Sequence, residues 1–207
     1  MRYGNLYQTA NVSEKLINET LSHVNLETLV KAHVSNIKSD NPNDPSNSYQ
    51  GKGGRTNRVS FIHDKQIQEK WLSVARTVNK DLGWDFNLTA IEPIQYGEYA
   101  KSEEYSWHVD QHRTPYKDNM IRKISFSVFL NNDYTGGEFD LEIYPPNRPK
   151  RFKTFNELPT NTILFFQSEY WHRVRPVHDG VRKSLVGWVL GPKFRWKYQK
   201  SMKYIWH

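Results

Sequence analysis

Apolar residues follow two rhythms along this chain, and the change comes near Asp85. Upstream they recur three and four apart, the spacing of one helix face. Ile67, Trp71, Val74, Ala75 and Val78 fall on one stripe, which predicts a helix between Asp64 and Leu82 with Gly83 as its stop. Ser13 is placed to cap a helix through Leu16, Ile17, Leu21 and Val24, and Asn25 to cap another through Leu26, Leu29, Val30 and Val34. From Ser39 to Arg58 the rhythm breaks into Asn, Ser, Pro, Gly and charge, so a mobile loop is expected there.

Downstream the period is two. Phe139, Leu141 and Ile143 alternate with Glu138, Asp140 and Glu142, predicting a half-buried strand with an acidic outer face. Ile163-Leu164-Phe165-Phe166 is apolar on both sides and reads as a central strand, while Asp133-Tyr134-Thr135-Gly136-Gly137 supplies a turn. Many short strands with turn signals suggest two packed sheets rather than a parallel doubly wound fold.

Composition narrows the class. At 207 residues the chain can build one substantial core and does not require two domains. We expect a single domain over 1–207, with helical support over about 1–84, a β core over about 85–191 and a basic aromatic tail over 192–207. Aromatic residues reach 14%, with seven tryptophans, so packing is expected to rest on large rings. No window approaches a transmembrane length and Met1 to Asn5 lack the apolar run of a signal peptide, so a cytoplasmic protein away from membranes is expected. The absence of cysteine excludes disulfides and thiolate metal sites.

Candidate chemistry begins at Trp107-His108-Val109-Asp110. In an extended segment, favoured here by Tyr105, Trp107 and Val109, His108 and Asp110 project from the same face. A single strand cannot wrap an ion, so a third ligand has to come from elsewhere. His172, within Tyr170-Trp171-His172-Arg173-Val174, can supply it from a neighbouring strand. Two imidazoles and one carboxylate on one face of an octahedron leave positions open, as in non-haem Fe(II) oxygenases. Arg182 gives the pattern a direction, because its fork matches a carboxylate and stays charged. The cosubstrate implied is 2-oxoglutarate, with its 2-oxo acid end on iron and its other carboxylate at Arg182. Residues 182–190 have the content of a strand, which sets Ser184, Val186 and Trp188 beside Arg182 as pocket wall.

Other residues compete for roles. His112 shares the nominal face of Asp110 and could complete a His-Asp-His cluster by itself, although it reads better as a solvent-side or substrate-side residue beyond the strand end. Gly51-Lys52-Gly53-Gly54-Arg55 lacks the Gly-x-x-x-x-Gly-Lys-Ser/Thr form and a preceding strand, so it reads as a flexible loop. Folded over the iron as a lid, it would bring Arg55 or Arg58 to the substrate. Trp107 reads mainly as packing behind the ligand strands and is also a candidate substrate contact.

Four blocks stand in order: Gln95-Tyr96-Gly97-Glu98-Tyr99; His108-Val109-Asp110; Phe129-Leu130-Asn131-Asn132 leading to Gly136-Gly137-Glu138-Phe139; and His172-Arg173-Val174-Arg175-Pro176-Val177 through Gly180-Val181-Arg182 to Trp188. With them, the segment from about Ile91 to Gly191 resembles the catalytic domain of the prolyl 4-hydroxylase-like family of Fe(II)/2-oxoglutarate dioxygenases. The resemblance implies an α+β, mainly β architecture: a double-stranded β-helix (jelly-roll) core, here braced by N-terminal helices. It implies iron held by His108, Asp110 and His172, a salt bridge from Arg182 to the 2-oxoglutarate tail, Tyr96 close to iron and cosubstrate, and Trp188 in the cosubstrate pocket wall. Relatives can carry a tyrosine hydroxyl just before the Leu-Asn pair, where this chain has Phe129. The second anchor for the carboxylate then falls to another residue, such as Ser184, or to water.

The function implied is hydroxylation of an unactivated C–H bond using Fe(II), 2-oxoglutarate and O2, with ascorbate as a possible reductant. The resemblance favours a prolyl residue in a peptide or protein over another residue or a small molecule. A net charge of +7 and the run from Lys193 to Tyr204, where cations alternate with rings, suggest a different class, an oxygenase or binder of nucleic acid. The same run fits a tail that docks its rings on the core and leaves its lysines solvated.

Overall fold

The computed structural model describes residues 6–32, 54–111, 115–116, 118–143, 152–156 and 158–193. Most of the expected Ser39–Arg58 loop, His112 and the tail from Phe194 onward lie outside these residues.

Two of the expected helices form where their caps stand. α1 (Glu14–Leu21) starts at Ser13, whose hydroxyl accepts from the Leu16 N–H at 3.4 Å. α2 (Lys65–Asp81) starts at Asp64, whose carboxylate accepts from the Ile67 N–H at 2.9 Å, and Gly83 ends it at φ +64°. Its buried face includes Ile67, Trp71, Leu72, Ala75 and Val78. Trp71 is fully buried, donates to Thr20 on α1 at 3.0 Å and stacks on Phe126 at 5.1 Å, so one ring joins both helices to the sheet below. Gly187 permits that stack, since a Cβ there would lie 2.2 Å from the Phe126 ring.

The helix expected after Asn25 is instead a single 3-10 turn, Leu26–Thr28, followed by β2 (Val30–Lys31). Asn25 caps that turn by accepting from the Glu27 N–H at 2.9 Å. The chain then turns extended because Val30 and Lys31 pair with Val59 and Arg58. The N-terminal region therefore contributes strands as well as helices.

The larger sheet has the order β1 (Tyr7–Asn11), β11 (Thr162–Gln167), β7 (Met120–Phe129), β14 (Arg182–Pro192), β5 (Ile94–Tyr99), β3 (Arg58–Ile62) and β2, with β4 (Ala90–Ile91) also on β14. The smaller sheet has the order β10 (Phe152–Phe155), β9 (Phe139–Glu142), β12 (His172–Val174) and β6 (Tyr105–His108). A short pair, β13 (Val177–Asp179) with β8 (Thr135–Gly136), closes one corner. All of these pairings are antiparallel.

Alternation sorts the larger sheet into two faces. On β11, Ile163 and Phe165 join the cluster under the helices, while Leu164 and Phe166 join a second cluster between the sheets. The central strand read from the sequence is thus buried on both sides, each large side chain contributing roughly 1.5–3 kcal/mol. The result is the expected double-stranded β-helix with helices on one outer face. One expectation is corrected. Asp140 on β9 is 0% exposed and is covered by Arg173, Arg175 and Thr154, so that face of the strand is not a solvated acidic surface. Among the described residues, no helix is long and apolar enough to cross a membrane.

Candidate metal centre

His108 ends β6 and His172 opens β12, and the two residues face each other across the antiparallel pair. Their ring centroids lie 4.0 Å apart. Asp110 comes just past the end of β6, where the N–H groups of Asp110 and Gln111 both donate to the Ser168 carbonyl, at 3.1 and 2.9 Å. That loop turns the carboxylate between the rings: Asp110 Oδ1 is 3.7 Å from His108 Nε2 and Oδ2 is 3.4 Å from His172 Nε2. Metal bonds of roughly 2.0–2.2 Å would leave cis ligand atoms of one ion about 3 Å apart, so these three groups can converge on a single ion.

Backbone contacts choose which nitrogen each histidine offers. His108 Nδ1 donates to the Ser106 carbonyl at 2.8 Å and His172 Nδ1 to the Tyr170 carbonyl at 3.0 Å. Both Nε2 atoms are thereby left as lone-pair donors facing Asp110. Packing fixes the rings as well. Tyr105 stacks on His108 at 3.5 Å, while Phe139 and Phe166 hold His172 at 5.5 and 4.7 Å. Burial holds the His108 imidazole well below its usual range, and His172 adds to that effect. Burial would raise the Asp110 carboxyl, but His172, by charge and hydrogen bond, and then His108 and Arg122 hold it far below the usual carboxylate range. A neutral imidazole beside an ionised carboxylate is the form that a cation takes up.

A cavity runs from this cluster between the two sheets, walled by Tyr99, Phe126, Ser127, Phe139, Phe166, Val174, Ser184, Val186 and Trp188. Arg182 closes its end. It is 1% exposed, its Nη1 donates to Ser184 Oγ at 3.3 Å, and its Nε and Nη2 have no partner. Phe129 and Tyr99 flank the guanidinium, with ring centroids 5.0 and 5.5 Å away. The approach depends on Gly137, at φ +64°, where a Cβ would stand 3.0 Å from Arg182 Cδ.

Residues 94–190 match a family model described as the 2OG-Fe(II) oxygenase superfamily. That segment, just under half of the chain, is similar to 2OG-Fe(II) oxygenases. A PKHD-type hydroxylase of Synechococcus sp. (strain CC9902) is 34% identical over 87 residues, covering 41% of this chain and 35% of that protein. The chain spans between 35% and 58% of the first curated relatives it matches, all PKHD-type hydroxylases. In fold the domain is similar to a viral collagen prolyl hydroxylase of Paramecium Bursaria Chlorella virus-1, with TM-score 0.61 and 15% identity over 91% of this chain and 97% of that one. It is likewise similar to a prolyl hydroxylase of Trichoplax adhaerens in complex with a hypoxia inducible factor peptide fragment, with TM-score 0.60 and 20% identity over 90% and 84% of the two chains.

The residues present fit both iron and 2-oxoglutarate. The cation fits because the donor set is two imidazoles and one carboxylate with open space in front. The dicarboxylate fits because two buried donors of Arg182 lack any protein acceptor, an arrangement that is costly unless an anion completes it.

The expected site residues divide into two groups. His108, Asp110, His172, Arg182, Ser184, Trp188 and Arg55 all line the cavity, and Phe129 backs Arg182. Tyr96, Arg58 and Trp107 do not line it. Tyr96 points into the helix-side core and donates to Glu98 at 2.8 Å; Arg58 pairs with the same carboxylate at 3.0 Å. Trp107 packs on Phe152 at 5.4 Å with the Arg173 guanidinium over its ring. The β5 tyrosine in the cavity is Tyr99, which shares the parity of Gln95 and whose burial pushes its phenol up, keeping it a donor; Tyr105 of β6 lines the cavity as well. Sequence reasoning missed Tyr99 and Gln95. Strand parity was the available signal, once one residue of the block was known to face inward.

Proposed function

We propose that this chain is an Fe(II)- and 2-oxoglutarate-dependent dioxygenase that hydroxylates a prolyl residue of a peptide or protein. The observation that carries the reading is Arg182, a buried guanidinium with two unsatisfied donors, set across one apolar cavity from the His108–Asp110–His172 cluster. A closed structural metal site would not need a paired anion site at that distance. In this reading His108, Asp110 and His172 hold the iron, Arg182 with Ser184 holds the far carboxylate of 2-oxoglutarate, and Trp188 walls the pocket. Bound Fe(II) and 2-oxoglutarate supply the oxygen-activating chemistry that hydroxylates the C–H bond.

The protein's own residues then have three tasks. The backbone-bonded imidazoles present their Nε2 atoms in one direction without reorganisation. Tyr105 and Phe139, stacked on the imidazoles, and Phe166, edge-on to His172, keep water from the metal face. Arg182 and Ser184 fix one end of the cosubstrate so that its other end meets the iron. The prolyl choice is supported by the likeness of fold to prolyl hydroxylases, one of them bound to a peptide fragment. The test is succinate formation from 2-oxoglutarate with Fe(II) and ascorbate over a proline-containing peptide panel, with mass spectrometry for a gain of one oxygen. Turnover that needs no metal, or no binding of metal and 2-oxoglutarate together, would refute it.

A further inference from the structure

Besides Arg182, the cavity wall holds a second cation that pairs with no carboxylate among the described residues, and it lies outside the segment that matches the family. Arg55 belongs to a short strap zipped to the strand that carries His108. Ser106 N–H donates to the Gly54 carbonyl at 3.1 Å, Thr56 N–H to the Glu104 carbonyl at 3.1 Å, and Glu104 N–H to Thr56 Oγ1 at 3.0 Å. The strap seats the Arg55 guanidinium 4.8 Å over the Tyr105 ring, which in turn stacks on His108.

Two neutral amides aim the fork. Arg55 Nε donates to Asn57 Oδ1 at 2.6 Å and Nη2 to Gln95 Oε1 at 2.9 Å. Asn57 and Gln95 are 0% and 2% exposed, so they form a fixed frame. Among the described residues no carboxylate pairs with Arg55, whereas Arg58 and Arg122 have Glu98 and Glu92 at 3.0 and 2.6 Å. An amide frame orients a guanidinium without neutralising it. In the cavity wall Arg55 and Arg182 stand against the single carboxylate of Asp110. The charges of Fe(II) and the 2-oxoglutarate dianion cancel, so the loaded cavity keeps one unit of positive charge. With Arg182 assigned to the cosubstrate, that excess sits at the half-buried Arg55, where it is free to attract an anion. Phe61, 45% exposed, stands across from Gln95 on the same sheet face and adds apolar surface beside the fork.

We propose that Arg55 binds a carboxylate of the substrate beside the carbon to be oxidised, so that the preferred substrate is an acidic peptide with Asp or Glu next to the target proline. This rests on the dioxygenase reading above. The experiment uses the full chain loaded with Mn(II) and 2-oxoglutarate under argon, so that binding is read without turnover. Fluorescence anisotropy compares peptides that differ only by Glu or Gln beside proline, with free L-proline as competitor. The Glu peptide should bind at least tenfold more tightly than the Gln peptide, Arg55→Gln should erase the difference, and Arg55→Lys should keep part of it. A merely structural Arg55 would instead lower the melting temperature and weaken both peptides alike. Equal binding of the two peptides by the natural chain, or discrimination that survives Arg55→Gln, overturns the proposal. Arg55-dependent competition by free L-proline would support the carboxylate site and assign the carboxylate to the amino acid itself. Arg55-dependent binding with no hydroxylation of the same peptide by the Fe(II)- and 2-oxoglutarate-loaded chain in air would keep the carboxylate site and overturn the prolyl reading.

Discussion

Replacing Arg182 by lysine should weaken 2-oxoglutarate binding by roughly 10- to 100-fold while leaving metal affinity within about twofold. The size follows from the environment of the fork. Arg182 is 1% exposed, Nη1 is engaged by Ser184, and Nε and Nη2 are the two parallel donors left for a carboxylate. Lysine keeps the charge but offers a point contact, so one charge-assisted hydrogen bond is lost. Such a bond is worth about 1.5–3 kcal/mol, and each 1.4 kcal/mol is a factor of ten in affinity. The ammonium also loses the flat face that Tyr99 and Phe129 bracket. The assay is an anaerobic titration of the Mn(II)-loaded protein with 2-oxoglutarate, followed by the apparent KM for 2-oxoglutarate in succinate formation. Arg182→Gln, which removes the charge too, should be worse than Arg182→Lys. An unchanged Kd in the lysine variant would remove Arg182 from the cosubstrate site and, with it, the main support for the dioxygenase reading.

Three further outcomes are expected. His172→Ala should weaken Mn(II) or Co(II) binding by more than about 100-fold in calorimetry, since it deletes a ligand where even supporting residues carry 10- to 100-fold; retained binding would point to a different donor set. Asp140→Asn should destabilise the fold by about 3 kcal/mol in urea, the low end for a broken buried pair because Arg173 and Arg175 reach solvent. Burial opposes ionisation of Asp140, yet Arg175, Arg173 and Thr154 hold its carboxyl below the usual range. Its stabilisation is thus complete above an unfolded-state pKa of about 4 and is lost as pH falls below that, so the Asn variant should show a flatter acid limb; matching limbs would refute the assignment. Gly137→Ala should raise the Kd for 2-oxoglutarate several-fold, because φ is +64° and the new Cβ meets Arg182 Cδ at 3.0 Å. Gly83→Ala, at the same φ but in open space, should reduce stability alone, and equal effects of the two on 2-oxoglutarate binding would show that backbone strain is the whole cause.

Much of this was legible because the signals were local. Ser13 caps as expected, the helix between Asp64 and Leu82 forms with most of its Ile67–Val78 stripe buried, and His108, Asp110, His172 and Arg182 share one cavity. The misreadings share a cause, which is that sequence gives parity along a strand but not which parity faces the site. Tyr96 and Tyr99 stand three apart and so on opposite faces of β5, and only the pairing of β5 with β14 decides between them. Asp140 read as an outer-face acid because nothing local reveals that Arg173 and Arg175, on a segment far along the chain, cover it. The turn after Asn25 satisfied its cap and then yielded to strand pairing with Val59 and Arg58, a long-range contact that outweighs helix spacing.

Register also explains how the pocket wall and the metal loop come to act together. Along β7 the residues Ile124, Phe126 and Val128 face the helices, so strict alternation would send Arg122 the same way. The pairing of β7 with β14 shifts between Val189 and Leu190: Val189 opposes Ile124 but Leu190 opposes Arg122, so Lys123 is an extra residue. That bulge turns Arg122 to the cavity side of the sheet, where its guanidinium lies 4.1 Å over the Trp188 ring. There Nη1 donates to the Asp110 carbonyl at 3.4 Å, while Nε and Nη2 grip Glu92 at 2.7 and 2.6 Å. The Arg122 carbonyl accepts from Gln111 Nε2 at 3.1 Å, pinning the residue after Asp110. One inserted residue in one strand therefore couples the aromatic wall of the proposed cosubstrate pocket to the loop that aims Asp110, the carboxylate proposed to hold the metal. Motif spacing specifies which side chains carry the chemistry; the bulge determines that they meet.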